Sequence, residues 1–287
     1  MTPRILFVGG DKGSWEMRGK QIGAQLGARY GSKHLQPDDW ALADVVVLVK
    51  RAAEEHFQAA QAYRGLLVWD VLDFWRQPAA NDRTDDDLVR EVTQTARALR
   101  VQLLIGATRA MAQAIGGVYV PHHHRLGLVP TPPRPTVQVV GYDGSPRYLG
   151  AWRTHLERAC AARGLTFIVN PPDLSQVDLL VAFRDTDWDG WACRHWKSGI
   201  KYVNAIAAGR PILTQASAAF EELRPVGAVV EDPVGLEAVL EHLSAPHLRQ
   251  AAYEDGLKRA RTFSIETIAG QYWELILEAL QRASGHL

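Results

Sequence analysis

Short apolar runs recur along the chain, each closing on glycine or a polar group and each separated from the next by a stretch of helical periodicity. Residues 5–8 (Ile-Leu-Phe-Val) form the first run and end in Gly9 and Gly10. A helical pattern follows over about residues 14–28. Residues 44–49 predict a parallel strand buried on both faces, because the run after Asp44 is apolar rather than alternating. Residues 66–69 predict another strand, which delivers Asp70 to its C-terminal end. Residues 85–100 predict a helix with Leu88, Val92 and Leu99 on one face. Strands at 103–105 and 118–120 flank a short helix around Met111 and complete this half.

Pro130, Pro132, Pro133 and Pro135 crowd the next segment. So dense a set of prolines fits neither a helix interior nor a central strand, so residues 128–136 are expected to be a linker. The pattern then restarts. Strands are predicted at 137–140, 166–169, 178–183, 211–214 and 227–230. Helices are predicted at about 145–163, 198–208, 234–243, 246–261 and 265–283. Gly209 with Pro211 just beyond marks the stop of the helix over 198–208. Alternating strands and helices imply parallel sheets covered on both faces. The expected architecture is α/β, with two Rossmann-like doubly wound domains facing across a cleft. Residues 1–127 and 137–264 form the two domains, and helix 265–287 packs back on the first. Ligands of such sheets bind beyond the C-terminal strand ends, which here face the cleft.

Composition narrows the function. The chain of 287 residues holds 32 Lys+Arg and 32 Asp+Glu, a formal net charge of zero, which argues against nucleic-acid binding by bulk positive charge. Two cysteines in unrelated contexts predict neither a disulfide framework nor a thiolate metal site. The N-terminus reads as a strand rather than a signal peptide, and no apolar stretch approaches the length of a membrane span. A cytoplasmic protein with at most peripheral membrane contact is expected.

Residues 197–212, Lys-Ser-Gly-Ile-Lys-Tyr-Val-Asn-Ala-Ile-Ala-Ala-Gly-Arg-Pro-Ile, resemble the donor-binding helix and following strand of GT-B glycosyltransferases. That segment commonly carries a basic residue, a helix ending in A-x-G-x-P, and an apolar strand. Residues 218–222, 229–232 and 262–273 resemble the next loop and helix, the segment before the penultimate helices, and the closing helix of the fold. The resemblance covers residues 137–284 and is weaker over 1–125. One feature departs from it: where many retaining members carry a Glu-x7-Glu pair, Trp196 and Asn204 stand here.

The resemblance implies transfer of a sugar from a nucleotide-sugar donor to a hydroxyl acceptor, such as a glycan, a lipid-linked sugar or a small molecule. No cofactor and no metal are expected. A metal-independent enzyme needs Arg, Lys and helix N-termini to neutralise the leaving diphosphate. Lys197 and Lys201, four apart at a helix start, and Arg184, at a strand end, are the candidates, with Gly144 in the turn beneath the phosphates and Asn204 on a hydroxyl. The first domain's turn over residues 9–14 faces the acceptor side, where Asp11, Ser14 and Arg18 are candidate contacts. Arg18 is expected to point toward the cleft. A proton acceptor is expected among Asp11, Asp70 and His123, against plainer roles for Asp70 as a turn cap and for His122, His123 and His124 as a polar loop. Adjacent histidines cannot all face one ion, so the trio is not expected to bind metal. Asp185-Thr186-Asp187 is expected to be a loop, and Trp188, Trp191 and Trp196 either a stacking surface or core. The alternatives are a GT-B-like protein that binds nucleotide sugar or glycan without turnover, and a sugar-nucleotide epimerase.

Overall fold

The structure, a computed structural model, describes residues 2–10, 13–32, 35–51, 53–75 and 83–285. Two parallel sheets follow one another along the chain. The first contains β1 (Ile5–Gly9), β2 (Arg29–Gly31), β3 (Val45–Val49), β4 (Leu66–Asp70), β5 (Leu103–Gly106) and β6 (Val118–Tyr119), in the order β2-β1-β3-β4-β5-β6. The second contains β7 (Val139–Tyr142), β8 (Thr166–Val169), β9 (Leu179–Ala182), β10 (Ile212–Thr214) and β11 (Gly227–Val229), in the order β11-β10-β9-β7-β8. All the pairings are parallel. Each sheet starts on an interior strand and winds outward both ways. The strand order therefore reverses between β1 and β3 and between β7 and β9, and crevices for ligands open at such reversals.

Successive strand residues point to opposite faces. Ile5, Phe7, Val45, Val47 and Val68 belong to one buried cluster, and Leu6, Val8, Val46, Leu48 and Leu67 to another on the far side. The first cluster is closed by the last helix, Ile265–Ala283, through Ile268, Tyr272, Ile276 and Ala279. Those positions recur at helical spacing, so one stripe of the helix is buried. Ser264 caps it, accepting from Thr267 N at 3.3 Å. The closing helix thus crosses from the second half of the chain onto the first sheet.

The second cluster is also shared. Ala192, Cys193 and Trp196, from the second half, lie in the same core as Trp69, Trp75 and Leu88 of the first. Trp196 is 1% exposed, so it is a core residue holding the two halves together rather than a stacking surface. The helix predicted over 14–28 is instead α over Gly13–Trp15, π-helical over Glu16–Gln21 and α again over Ile22–Gln25. A Cβ on Gly9 or Gly19 would overlap the Trp15 indole, which fills the space those glycines leave.

Residues 120–138 contain no helix or strand. Two buried arginines of the second half hold this segment by its carbonyls. Arg210 donates to Thr131 O at 2.5 Å and Arg249 to Pro135 O at 3.1 Å. No helix among the described residues is long and apolar enough to cross a membrane.

Candidate functional site

The site lies beyond the reversal between β7 and β9. β7 ends on Tyr142, and the turn after it carries Asp143 and Gly144. β9 ends on Ala182, and Phe183 anchors the following loop by stacking on Trp152, ring centroids 4.2 Å apart. Arg184 comes next, its backbone N–H fixed by Gln215 Oε1 at 2.7 Å. Its guanidinium lies 4.7 Å from the Tyr148 ring centroid. From the other side helix Ile200–Ala208 opens after Gly199 and brings Lys201 in its first turn. The Lys201 ammonium sits 3.5 Å from the Tyr142 ring centroid. A Cβ on Gly144 would come within 3.0 Å of Lys201 Nζ, so glycine leaves the approach to that ammonium open. Gly144 and Tyr142 on one strand end, Arg184 and Lys201 thus converge. Arg184, Lys197, Lys201, Thr214 and Ser217 line one small pocket there.

The electrostatics of this pocket are unbalanced. Arg184 Nη1 and Lys201 Nζ are buried nitrogens without a hydrogen-bond partner among the described residues. Burial, reinforced by the nearby charges of Arg184 and Lys197, pulls Lys201 well below the ordinary lysine value against the opposing pull of Asp143. An anion placed at the ammonium would raise it again. Anion binding here is therefore expected to take up a proton, with affinity falling as pH rises from the Lys201 pKa of the free protein toward that of the complex. Calorimetric titration in buffers of different ionisation enthalpy reads the proton number. Zero uptake across that pH range would remove Lys201 from the anion.

Lys197 departs from expectation. It does not share a helix face with Lys201, because the short helix Trp191–His195 ends at buried Trp196 and the next begins only at Ile200. Its ammonium reaches across to the first half and pairs with Asp73. Asp73 also pairs with Lys50 Nζ at 2.9 Å. Burial pushes the Asp73 carboxyl up, but the two ammonium groups outweigh it and hold the group well below the usual carboxylate range.

Asn204 is engaged at both ends of its amide. Its Oδ1 accepts from Arg125 N at 2.9 Å and its Nδ2 donates to Asp143 Oδ2 at 3.2 Å, which ties the stretch before the linker to the turn after β7. Buried, it has a hydrogen bond at each end of its amide, and both tie it to the frame of the cleft.

On the first half, Arg18 and Asp70 form a closed pair. Both side chains are 0% exposed, with Arg18 Nε donating to Asp70 Oδ2 at 2.8 Å. Arg18 also donates to Pro121 O at 2.6 Å and Val120 O at 3.0 Å, and the Tyr272 hydroxyl donates to Asp70. Arg18, expected to point toward the cleft, turns inward because the carboxylate and two strand-end carbonyls satisfy it there. Asp70 has its oxygens taken by Arg18 and Tyr272. Ser14 lies half-buried in the first helical turn. Asp11 lies outside the described residues.

The histidines divide by orientation. His123 is 0% exposed, and both ring nitrogens face carbonyl oxygens, Nδ1 that of His124 at 2.8 Å and Nε2 that of Met17 at 3.0 Å. Its ring has no nitrogen free for a substrate. His122 points elsewhere. Its Nδ1 is buried without a partner, and the imidazole feels the charges of Asp73 and Lys197. Burial first, then Arg18, keeps it well below the ordinary histidine value and hence neutral. Asp185 folds back on its own loop, accepting from Ala151 N at 2.9 Å and Thr186 N at 2.7 Å. Among the described residues no group of three or more His, Cys, Asp or Glu is placed to hold a metal ion.

Lys50 and Tyr142 were not singled out from the sequence, and His122 only as one of the three adjacent histidines. Lys50 directly follows the apolar run of β3. The strand-end rule that singled out Asp70 therefore points to it as well.

Paired doubly wound sheets, with basic residues at the second switch point, define a two-Rossmann-domain cleft protein. Comparison with solved structures agrees, and the chain has the GT-B fold. The glycotransferase of kitacinnamycin is similar at TM-score 0.54 and 11% identity, over 98% of this chain and 100% of that one. The spinosyn forosaminyltransferase SpnP is similar at TM-score 0.55 and 12% identity, over 96% of this chain and 100% of that one. A chain of the GtfA/B complex is similar at TM-score 0.57 and 14% identity, over 83% of this chain. Of that longer partner it spans 58%. No protein-family model and no curated protein sequence matches the chain.

Proposed function

We propose that this protein transfers a sugar from a nucleotide-sugar donor to a hydroxyl acceptor without a metal ion. One observation carries the reading: Arg184 and Lys201 bring buried, unpartnered cationic nitrogens to one pocket at the switch point of the second sheet. Burying charge without a counter-charge is costly, and such cost concentrates where a ligand supplies the missing charge. A diphosphate is the anion that fits two such cations in a nucleotide-sugar fold, and their charge would stabilise it as it leaves. The Gly144 turn leaves room for the phosphates beside Lys201. For the acceptor proton the geometry favours His122 over His123 and Asp70, whose polar atoms are engaged. It is neutral, has an unpartnered nitrogen and lies beside the cation cluster.

A second reading, a GT-B protein that binds the same ligand without turnover, is favoured by Asn204, whose amide is locked between Arg125 and Asp143 where many retaining relatives of the fold carry an acidic residue. Incubation with a panel of nucleotide sugars and mixed hydroxyl acceptors separates the two. Released nucleoside diphosphate together with a glycosylated product supports the transferase. Saturable binding with neither supports the binder, and an isomerised nucleotide sugar formed without acceptor would point to an epimerase.

A further inference from the structure

Asp73 stands where an anion would be expected. Its carboxylate bridges two ammonium groups from opposite sides of the cleft: Lys50 Nζ at 2.9 Å from the first half and Lys197 Nζ from the second. The carboxylate is largely buried, with 10% of its side chain exposed, while Lys50 and Lys197 are 19% and 22% exposed. The supports are rigid. Lys50 N donates to Asp70 O at 2.8 Å, and Lys50 O accepts from Trp69 Nε1 at 2.9 Å. Lys50 and Leu72 both hold left-handed backbone, at φ 58° and 46°. For residues with a Cβ that costs about 1 kcal/mol or more each, and such strain persists where the surroundings enforce it. The charges of Lys50 and Arg184 reach Lys197, and those of Arg184 and Lys197 reach Lys201. Arg184, Lys197 and Lys201 line one pocket, and Lys50 is joined to them through the Asp73 bridge. Of the other carboxylates nearby, Asp143 is engaged by Arg125 at 3.6 Å and Asn204 at 3.2 Å, and Asp189, which lines the same pocket, by Arg194 at 2.7 Å.

Resting on the nucleotide-sugar reading above, we propose that Asp73 is an internal stand-in for a phosphate, and that Lys50 is a donor-binding residue supplied by the first half of the chain. A phosphate presents two oxygens to two ammonium groups as a carboxylate does, with more charge. A donor diphosphate entering beside Arg184 and Lys201 would take Lys197 and Lys50 from Asp73. The donor is then held from both sides of the cleft, and its binding is coupled to the relative position of the halves.

The test is calorimetric titration of inorganic pyrophosphate and of UDP, GDP and ADP into wild type, Lys50→Met, Asp73→Asn and Lys201→Met. Lys50→Met is expected to weaken binding about tenfold, the loss of one charge-assisted contact. Asp73→Asn, with the competing carboxylate gone, is expected to bind several-fold tighter than wild type and to gain more thermal stability from pyrophosphate. Should Asp73→Asn fail to fold, Lys50→Met, which keeps an apolar stem of similar length, decides alone. If Lys201→Met loses binding while Lys50→Met binds like wild type, the second-half site stands and this proposal falls. Weaker binding by folded Asp73→Asn would overturn it too, because the carboxylate would then position the lysines for the ligand rather than occupy its place. If none of the four probes binds wild type, the proposal and the donor site fall together.

Discussion

Replacing Asp70 with Asn is expected to lower the stability of the fold by about 3–5 kcal/mol, the cost of leaving a buried charge without its partner. The stranded group would be Arg18, which is 0% exposed and cannot turn to water. The effect is large because the pair joins four parts of the chain. Arg18 lies in the π-helical stretch after β1, Asp70 ends β4, Val120 and Pro121 lead out of β6, and Tyr272 belongs to the closing helix. Arg18→Met is expected to cost a similar amount, while the double variant costs less than the two single losses added, because it strands neither charge. Tyr272→Phe, which removes one hydrogen bond to the carboxylate, is expected to cost about 1–3 kcal/mol. Urea denaturation of the four variants reads these differences. An Asp70→Asn protein of wild-type stability that had lost turnover would return Asp70 to the chemistry and refute its structural role.

Replacing Arg184 and Lys201 together with Met is expected to move two properties in opposite directions. Binding of a nucleoside diphosphate is expected to fall by about a hundredfold or more, since each charge-assisted contact contributes roughly 1.5–3 kcal/mol. Stability is expected to rise by about 1 kcal/mol or more, because buried cationic nitrogens without partners give way to apolar stems. Residues that merely decorate a surface would change neither property. Residues that hold the fold together would lower both. Opposite signs are the mark of a site whose charges are kept for a ligand, and thermal denaturation with and without pyrophosphate reads both.

Much of this architecture was legible in the sequence where burial imposes a pattern. The apolar runs at β1, β3, β4 and β9 could be read because a strand covered on both faces tolerates few polar residues. The closing helix could be read because Ile265, Ile268, Tyr272 and Ile276 repeat at helical spacing behind a Ser cap. β2 could not. It is a short edge strand, Arg-Tyr-Gly, with little to bury. Helix Pro37–Leu42 was also silent in the apolar pattern, being set by a capping box between Gln36 and Asp39. In the site, Arg184, Lys201 and Gly144 were legible from strand ends and from the family text. Lys197 looked like the twin of Lys201, but the chain turns at buried Trp196 and sends it to the opposite domain. That His123 is held between two carbonyls while His122 keeps a ring nitrogen without a partner was beyond the sequence, because only packing decides where two adjacent side chains point. The bridge from Lys50 through Asp73 to Lys197 spans 147 positions of chain (197 − 50), and no local spacing announces it.

Isothermal titration of UDP, GDP, ADP and CMP into wild type and into the Arg184→Met/Lys201→Met variant tests most directly whether these two side chains hold a nucleotide diphosphate. The expected result is saturable binding of at least one nucleoside diphosphate by wild type and none measurable by the variant. Equal binding by the two proteins, or no binding of any nucleotide by wild type, would contradict it.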